Sequence, residues 1–552
     1  MGRHVTDPAP ASKEGYDPPH MELTLEDFVP YDQSSLWRIH DSYFAGRGGA
    51  AWSQGEIPSM ATSSYAMARQ QAKLVLALVG ELEAEGALEP GDPVRILEVG
   101  SGSGKFAAMF LRALERGCGE AGAALLGRIR YMLSDYSETN LKDALGDPEI
   151  ARRASEGLVA PALLDLRRPA EIRALDGRPV EERFAVAIAN YVCCVTPLKI
   201  LQKTREGFLE RRVKIAIDAD PREGESPEAA AARLLEGLVG NATRPALMNA
   251  LSLAFDWQPV DLARALPDPV HRRALEASVA SFDEATPQYP FAFLEFVRTL
   301  RRRLLPGGML AVNDYGTCDA FDLDGRHERA PVHYGNTLNH GADFPVIEEF
   351  CRAEGLAIER TRNPLLSVQT AAIRLAAATT PRFHKAFHKI CVRDNDGQTL
   401  LELRTAAVAA READPASAAR LYRRALRLDP DSAEIHFDLG QMCFASGHPR
   451  LALRYLRRGR ALDPEAKLDF AFQLGRVYVR LNKNKKARRA FEESLRKEEN
   501  ASTHANLGIA LENLGLKKAA YRSFRRALEI EQEGPVATAV VRKLLERYLP
   551  KR

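Results

Sequence analysis

Residues 95–116 read RILEVGSGSGKFAAMFLRALER. An apolar run reaches an acid, Glu98, and Gly100, Gly102 and Gly104 then alternate with other residues before a helical pattern begins. Glycine tolerates left-handed backbone and lets the main chain approach a ligand closely. Strand, glycine turn and helix in that order suit a nucleotide-like molecule. A phosphate loop needs GxxxxGK followed by Ser or Thr. Here Gly104 and Lys105 are followed by Phe106, and Val99 stands where the first glycine belongs, so that reading fails. The dinucleotide pattern GxGxxG/A is met in part by Gly102, Gly104 and Ala107. It leaves Glu98 without a role.

Further acids and amides close later apolar runs. Asp135 ends IRYMLSD, Asp165 ends LVAPALLD and is followed by Leu166, and Asn190 ends FAVAIAN and is followed by Tyr191. Asp314 and Tyr315 end MLAVNDYG. Each acid alone has a plain reading as a helix N-cap, and for Asp165 that reading stays open. Asp314 suits a base, a substrate contact or a loop cap. His340 suits a general base or an exposed loop histidine. His333, His340 and Asp343 lie within eleven residues without regular ligand spacing, so no metal site is expected. His384 and His388, one helical turn apart, sit beside Lys385 and Lys389 and read as an exposed basic face.

The elements that must position these residues follow from the pattern. From Val94 to Glu359 the runs VRILEV, IRYMLSD, LVAPALLD, FAVAIAN, VKIAID and MLAVND are nearly continuous in apolar character. Such runs suit parallel strands covered on both faces. Ligands of open α/β sheets bind beyond the carboxyl ends of the strands. The spacing predicts an α/β domain over 21–375 with a Rossmann-like, mostly parallel sheet and a helical insertion at about 226–281. The first 20 residues read as a Pro-rich polar arm. Residues 376–397 read as a linker.

The pattern Glu-x-Gly-x-Gly-x-Gly resembles motif I of class I S-adenosylmethionine-dependent methyltransferases. That cofactor carries a cationic sulfonium and an amino group but no pyrophosphate, which suits an acid beside an open glycine turn. The resemblance implies a cofactor set of Glu98, Gly100, Gly102, Gly104, Asp135 on the ribose hydroxyls, Asp165 and Leu166 near the adenine, and Asn190. The motif order over about 35–375 is similar to the mitochondrial complex I assembly arginine methyltransferase family and its bacterial relatives. FAVAIANYVCCVTPLKILQKTREGFLERRV, LRRRLLPGGMLAVNDYG, YGNTLNHGADFPVIEEF and GEIPSMATSSYAMARQQAKLV carry it. That family has acids directly after the fourth-strand Asn and three residues later; here those places hold Tyr191 and Cys194. Carboxylates would orient a guanidinium, so a neutral amide, amine or hydroxyl is the expected acceptor. Asn190 would accept from its N–H, and Tyr191 would pack on substrate or stand as a buried aromatic. Asn190, Tyr191, Asp314, Tyr315 and His340 form the candidate catalytic set.

Beyond residue 398 the grammar becomes all-helical and repeats. Gly440, Gly475 and Gly508 lie 35 and 33 residues apart. Twelve residues after each comes Ala452, Ala487 or Ala520, and four further on Leu456, Phe491 or Phe524. This resembles the tetratricopeptide repeat, with a period of about 34 residues. A weaker copy runs through Ala418, Tyr422 and Ala425, and VATAVVRKLLERYL reads as a closing helix. Residues 398–552 therefore read as an all-α solenoid for a protein or peptide. Basic segments such as NKNKKARRAF lack the interleaved aromatics of an RNA module, which argues against nucleic acid.

The net charge of +3 names no partner. Seven cysteines without a CxxC pair suggest a reduced, cytoplasmic protein. No apolar run is long enough for a membrane span. The expected function is methyl transfer to a protein or peptide recruited by the repeats. The alternative is a scaffold that binds cofactor without turnover.

Overall fold

The computed structural model describes residues 22–48, 51, 64–166, 168, 171–242, 247–326, 329, 331–366, 368–463 and 467–530. The expected N-terminal arm, the closing helix and residues 55–63 of the N-terminal motif lie outside them. In chain order the first strands are β1 (Glu22–Pro30), β2 (Val94–Val99), β3 (Ile129–Asp135), β4 (Val159–Leu163), β5 (Arg173–Ala174) and β6 (Phe184–Asn190). Next come β7 (Lys199–Thr204), β8 (Gly207–Asp218), β9 (Leu251–Val260), β10 (Gln288–Tyr289) and β11 (Leu304–Asp314). The last are β12 (Gly316–Thr317), β13 (Val332–Tyr334), β14 (Thr337–Asn339), β15 (Ala342–Asp343), β16 (Ala357–Arg360) and β17 (Gln369–Arg374).

The described residues form two compact units. One takes the described residues within Met1–Pro58, Pro93–Gly104 and Arg130–Thr379; the other takes those within Ser59–Asp92, Lys105–Ile129 and Thr380–Arg552. The first unit is a mixed α/β structure around an eight-stranded sheet in the order β16-β17-β11-β6-β2-β3-β4-β5. β11 runs parallel to β6, β6 to β2, and β3 to β4, while β17 and β5 are antiparallel to their neighbours. The order turns back at β2: β3 and β4 extend one way, β6 and β11 the other. Central strands are buried along nearly their whole length, as six consecutive residues of β6 show. This is why they lack two-residue alternation. Helices Phe291–Leu300 and Phe344–Ala353 contribute Phe293, Phe296 and Phe350 to one core with Leu310 and Val312 of β11.

Two expectations differ from this arrangement. VKIAID is not a strand of the main sheet. It is the second half of β8, paired antiparallel with β1 and β9 in a separate five-stranded sheet. The segment 226–281 is not wholly helical. Between helices Pro227–Gly240 and Pro269–Ser278 it holds β9, ten residues paired with β8 from Phe208↔Val260 to Ile217↔Leu251. Leu251, Leu253, Phe255 and Trp257 alternate with other residues, a period of two that Ala- and Leu-rich flanks conceal.

In the second unit, helices Asp396–Ala410, Pro415–Leu428, Ala433–Ala445, Pro449–Leu462, Phe470–Arg480, Asn484–Lys497, Ala501–Asn513 and Lys517–Ile530 follow one another. The glycine spacing has a packing cause. A Cβ added at Gly440 would meet the Leu456 side chain, and one at Gly475 or Gly508 would meet the ring of Phe491 or Phe524. Ala452, Ala487 and Ala520 are fully buried beside them.

The same unit includes helices Tyr65–Ala84 and Lys105–Arg112, which the sequence pattern had assigned to the α/β domain. Ala66 lies in the repeat core, Lys73 pairs with Asp396 at 2.7 Å, and Arg112 pairs with Asp431. Nor is 376–397 an irregular linker. It contains helix Pro381–Phe387, continued by a wide helical turn to Arg393.

Gly475→Val should lower repeat stability by about 1–3 kcal/mol, because overpacking forces the Phe491 ring to move. Thermal unfolding followed by circular dichroism would detect it, and an unchanged transition would contradict this packing.

Candidate functional site

The site is built at the edge of the main sheet where β2, β3, β4, β6 and β11 end. Backbone φ is +68° at Gly100, +51° at Gly102 and +71° at Gly104, so all three occupy the left-handed region. A Cβ at Gly104 would stand 2.9 Å from Cβ of Ala144, and one at Gly100 would stand 3.2 Å from Val192. The turn is thus closely flanked by helix Glu138–Leu145 and by the corner that follows β6.

Asp135 ties this turn to β3. Its Oδ2 accepts from Gly102 N–H at 2.9 Å, and its Oδ1 accepts from Ser137 N–H at 2.9 Å and Asn140 Nδ2 at 3.1 Å. Ser101 N–H donates to Ser134 O at 2.9 Å, so the ends of β2 and β3 adjoin. Leu164 N–H donates to Asp135 O at 3.0 Å, bringing the end of β4 alongside. Asp165 and Leu166 follow there, both half-buried. Burial raises the Asp135 pKa, and the three donors oppose that rise. The carboxylate expected to face a ribose is therefore already engaged by the chain.

Glu98 is only 2 % exposed. Its Oε2 accepts from Tyr131 O–H at 3.0 Å. Burial pushes its pKa up to about 8, with the Tyr131 hydrogen bond opposing and the Asp135 charge adding to the rise. A buried carboxyl with so little compensation favours a cation beside it.

On the other side of β2 the β6 strand ends in Asn190, and the chain turns at Tyr191 with φ +55°. A left-handed tyrosine is strained backbone. It is held by Tyr191 N–H donating to Asn313 O at 2.8 Å and by the ring of Tyr315 at 6.2 Å. Burial raises the Tyr191 phenol well above its ordinary range.

Asp314 is fully buried. It accepts from Cys194 N–H at 3.0 Å and from Tyr315 N–H at 2.9 Å. Burial raises its pKa to about 7 against hydrogen bonds from Cys194 and Tyr315. Its carboxylate thereby ties the turn Cys193–Val195 to the end of β11.

His340 is not an exposed loop histidine. It is buried, with Nε2 at 2.9 Å from Tyr31 O–H and backbone N–H donating to Cys194 O at 2.8 Å. Burial, together with His40, His333 and Arg211, lowers its pKa to about 3, so it is a weak base. His333 and Asp343 make separate contacts. His333 Nδ1 lies 3.2 Å from Thr337 O, and Asp343 pairs with Arg329 at 2.7 Å.

Asn190 Oδ1 accepts from Asn313 Nδ2 at 2.7 Å, which fixes the orientation of the amide. Its Nδ2 is buried with no hydrogen-bond partner among the described residues. Asn313, Thr370, Tyr131 and Ser134 were not singled out from sequence. Their placement depends on strand register, and the only sequence signal was a polar residue directly before Asp314 in an apolar run.

Residues 409–468 and 472–536 match the tetratricopeptide repeat family, and the C-terminal region carries these repeats. A search of curated proteins found no match. Among solved structures, the chain is similar to a likely methyl transfer enzyme from Burkholderia thailandensis bound to S-adenosyl-homocysteine. The identity is 20%, covering 61% of this chain and 74% of that one, with a TM-score of 0.38. An uncharacterized protein from the same organism is 18% identical over 65% of this chain and 90% of that one, with a TM-score of 0.39. MamA from Desulfovibrio magneticus is 17% identical over 28% of this chain and 89% of that one, with a TM-score of 0.24.

The Glu98 shift has a testable sign. Its folded pKa of about 8 lies above the ordinary 4.5. The stability it contributes is full below 4.5 and is lost as pH rises toward 8. Glu98→Gln should therefore gain stability relative to the parent across that window, by up to about 1.4 kcal/mol per pH unit. Melting at pH 5, 6.5 and 8 reads the difference, and a difference independent of pH would exclude the buried, protonated carboxyl.

Proposed function

We propose that this chain is an S-adenosylmethionine-dependent methyltransferase with a Rossmann-like sheet, acting on a protein or peptide held by the tetratricopeptide repeats. One observation carries the reading. Three left-handed glycines lie at the point where strand order turns back, between the buried acids Glu98 and Asp135. Crevices at such switch points are where open α/β sheets bind ligands.

The residues fit the cofactor. Gly100, Gly102 and Gly104 would hold it through exposed backbone, Glu98 would complement its positive charge, and Asp135, Asp165 and Leu166 would border the ribose and adenine. When bound, S-adenosylmethionine supplies an electrophilic methyl group. Asp135 sets the shape of the turn, and Asn190 with Tyr191 forms the wall after β6. The contribution of these groups is alignment and exclusion of water. The repeats would raise the local concentration of substrate. All seven cysteines are free, in keeping with a cytoplasmic protein. Among the described residues no helix is long and apolar enough to cross a membrane.

A second reading is a cofactor-binding scaffold without turnover. Tyr191 and Cys194 favour it, because they stand where the resembling family has acids, and Asp314 is committed to the Cys193–Val195 turn.

Calorimetric titration with S-adenosylhomocysteine tests the cofactor site. The parent should bind, and Gly102→Val should not. Asp135→Ala should lose affinity by about 1–3 kcal/mol, through loss of a charged hydrogen-bonding group that shapes the turn. Absence of binding by the parent would refute the proposal. Undiminished affinity in folded Asp135→Ala would refute the role of that acid.

A further inference from the structure

Three side chains form one polar row across the main sheet. Parallel register places Asn313 beside Asn190, and antiparallel register places Thr370 on its other side. Thr370 O–H donates to Asn313 Oδ1 at 2.8 Å, and Asn313 Nδ2 donates to Asn190 Oδ1 at 2.7 Å. Asn313 is fully buried and Thr370 nearly so. The row ends in Asn190 Nδ2, a buried donor without a partner among the described residues, directly before the strained corner at Tyr191. Native structures rarely leave such a donor unpaired, and a bound group is one of the reasons they do.

We infer that this row fixes Asn190 as a hydrogen-bond donor for a carboxylate, that the methylated atom is a carboxylate oxygen of a protein or peptide, and that Asn313 and Thr370 are positioning residues. The inference rests on the methyltransferase reading above. A donor suits an oxygen acceptor and does not suit an N–H. The neighbouring acid–base groups agree: Asp314 accepts from Cys194 and Tyr315, and His340 is held against Tyr31. A carboxylate needs neither as a base. One of its oxygens forms the bond to the methyl carbon, the carbon–sulfur bond breaks, and its electron pair goes to sulfur. No proton moves, and the sulfonium and carboxylate charges both disappear. Asn190 Nδ2 would bond the second carboxylate oxygen and orient the first.

The test uses the full chain, methyl-labelled S-adenosylmethionine and three synthetic peptides. One is amidated and carries a single Glu, one lacks Asp and Glu but has a free C-terminal carboxylate, and one is amidated with Lys and Arg only. Label on either carboxylate peptide that alkali releases as methanol supports the inference, and the first two peptides tell a side-chain from a terminal carboxylate. Alkali-stable label, or no transfer to either carboxylate peptide, overturns it. If S-adenosylhomocysteine does not bind at all, the underlying proposal has failed instead.

A second readout is binding of the carboxylate peptides to enzyme saturated with S-adenosylhomocysteine, followed by fluorescence anisotropy. Asn313→Asp removes the donor that holds Asn190 Oδ1 and turns the amide round, and Asn313→Leu leaves it unheld. Each should weaken peptide binding about tenfold or more, the worth of one charged hydrogen bond. Affinity for S-adenosylhomocysteine should stay within about twofold, which also reports folding. Thr370→Ser, which keeps the hydroxyl, should bind like the parent, while Thr370→Val should resemble Asn313→Leu. Unchanged peptide affinity in both Asn313 variants would mean that the row does not set the polarity of Asn190.

Discussion

The Asp135 carboxylate holds the candidate site together. It is only 3 % exposed, and burial alone would make its charge costly. Hydrogen bonds from Gly102, Ser137 and Asn140 compensate, and they come from three different places: the glycine turn, the bend after β3 and the helix beyond. The left-handed turn after β2 is stable because its amide has this acceptor. The acid is thereby both an electrostatic feature of the site and a structural tie within it. Its removal would unfasten the turn as well as remove a charge.

Much of this was legible from local chemistry. The alternating glycines after Glu98 permit left-handed backbone, and the structure has it at all three. Continuous apolar runs were enough to identify β2, β3, β4, β6 and β11. The repeat period followed from glycines that make room for Leu456, Phe491 and Phe524. Pairing was not legible. VKIAID is apolar enough for a parallel strand, and nothing local shows that it continues β8 into a different sheet. Strand β9 was concealed because its flanks form helices and because Ala254 and Pro259 interrupt the contrast between its two faces.

The same limit applied to the site. Residue type suggested that Asn190 could accept a hydrogen bond and that Asp314 and His340 could be bases. Each suggestion depended on what the neighbours leave available. Asn313 occupies the Asn190 oxygen, the turn at Cys193–Val195 occupies Asp314, and Tyr31, 309 positions away, reaches His340. Grouping of helices Tyr65–Ala84 and Lys105–Arg112 with the repeats had a similar cause. The ion pairs of Lys73 with Asp396 and of Arg112 with Asp431 span more than 300 residues, beyond the reach of any periodic pattern.

The departures from the resembling family fit together physically. Acids after the fourth strand would orient a cationic acceptor, and in this chain Tyr191 and Cys194 stand there. An unpaired buried carboxylate would have to be protonated or hydrogen-bonded. Asp314 takes the second course, accepting the Cys194 N–H that the turn Cys193–Val195 presents. Once Asp314 serves that turn, a substrate that must lose a proton has fewer groups to receive it. Asn313 holds the Asn190 oxygen, and the buried group of that amide left without a partner among the described residues is its Nδ2 donor. On the proposed methyltransferase reading, a hydrogen-bond donor at this strand end would stand beside a cationic methyl donor, and that combination favours an anionic nucleophile.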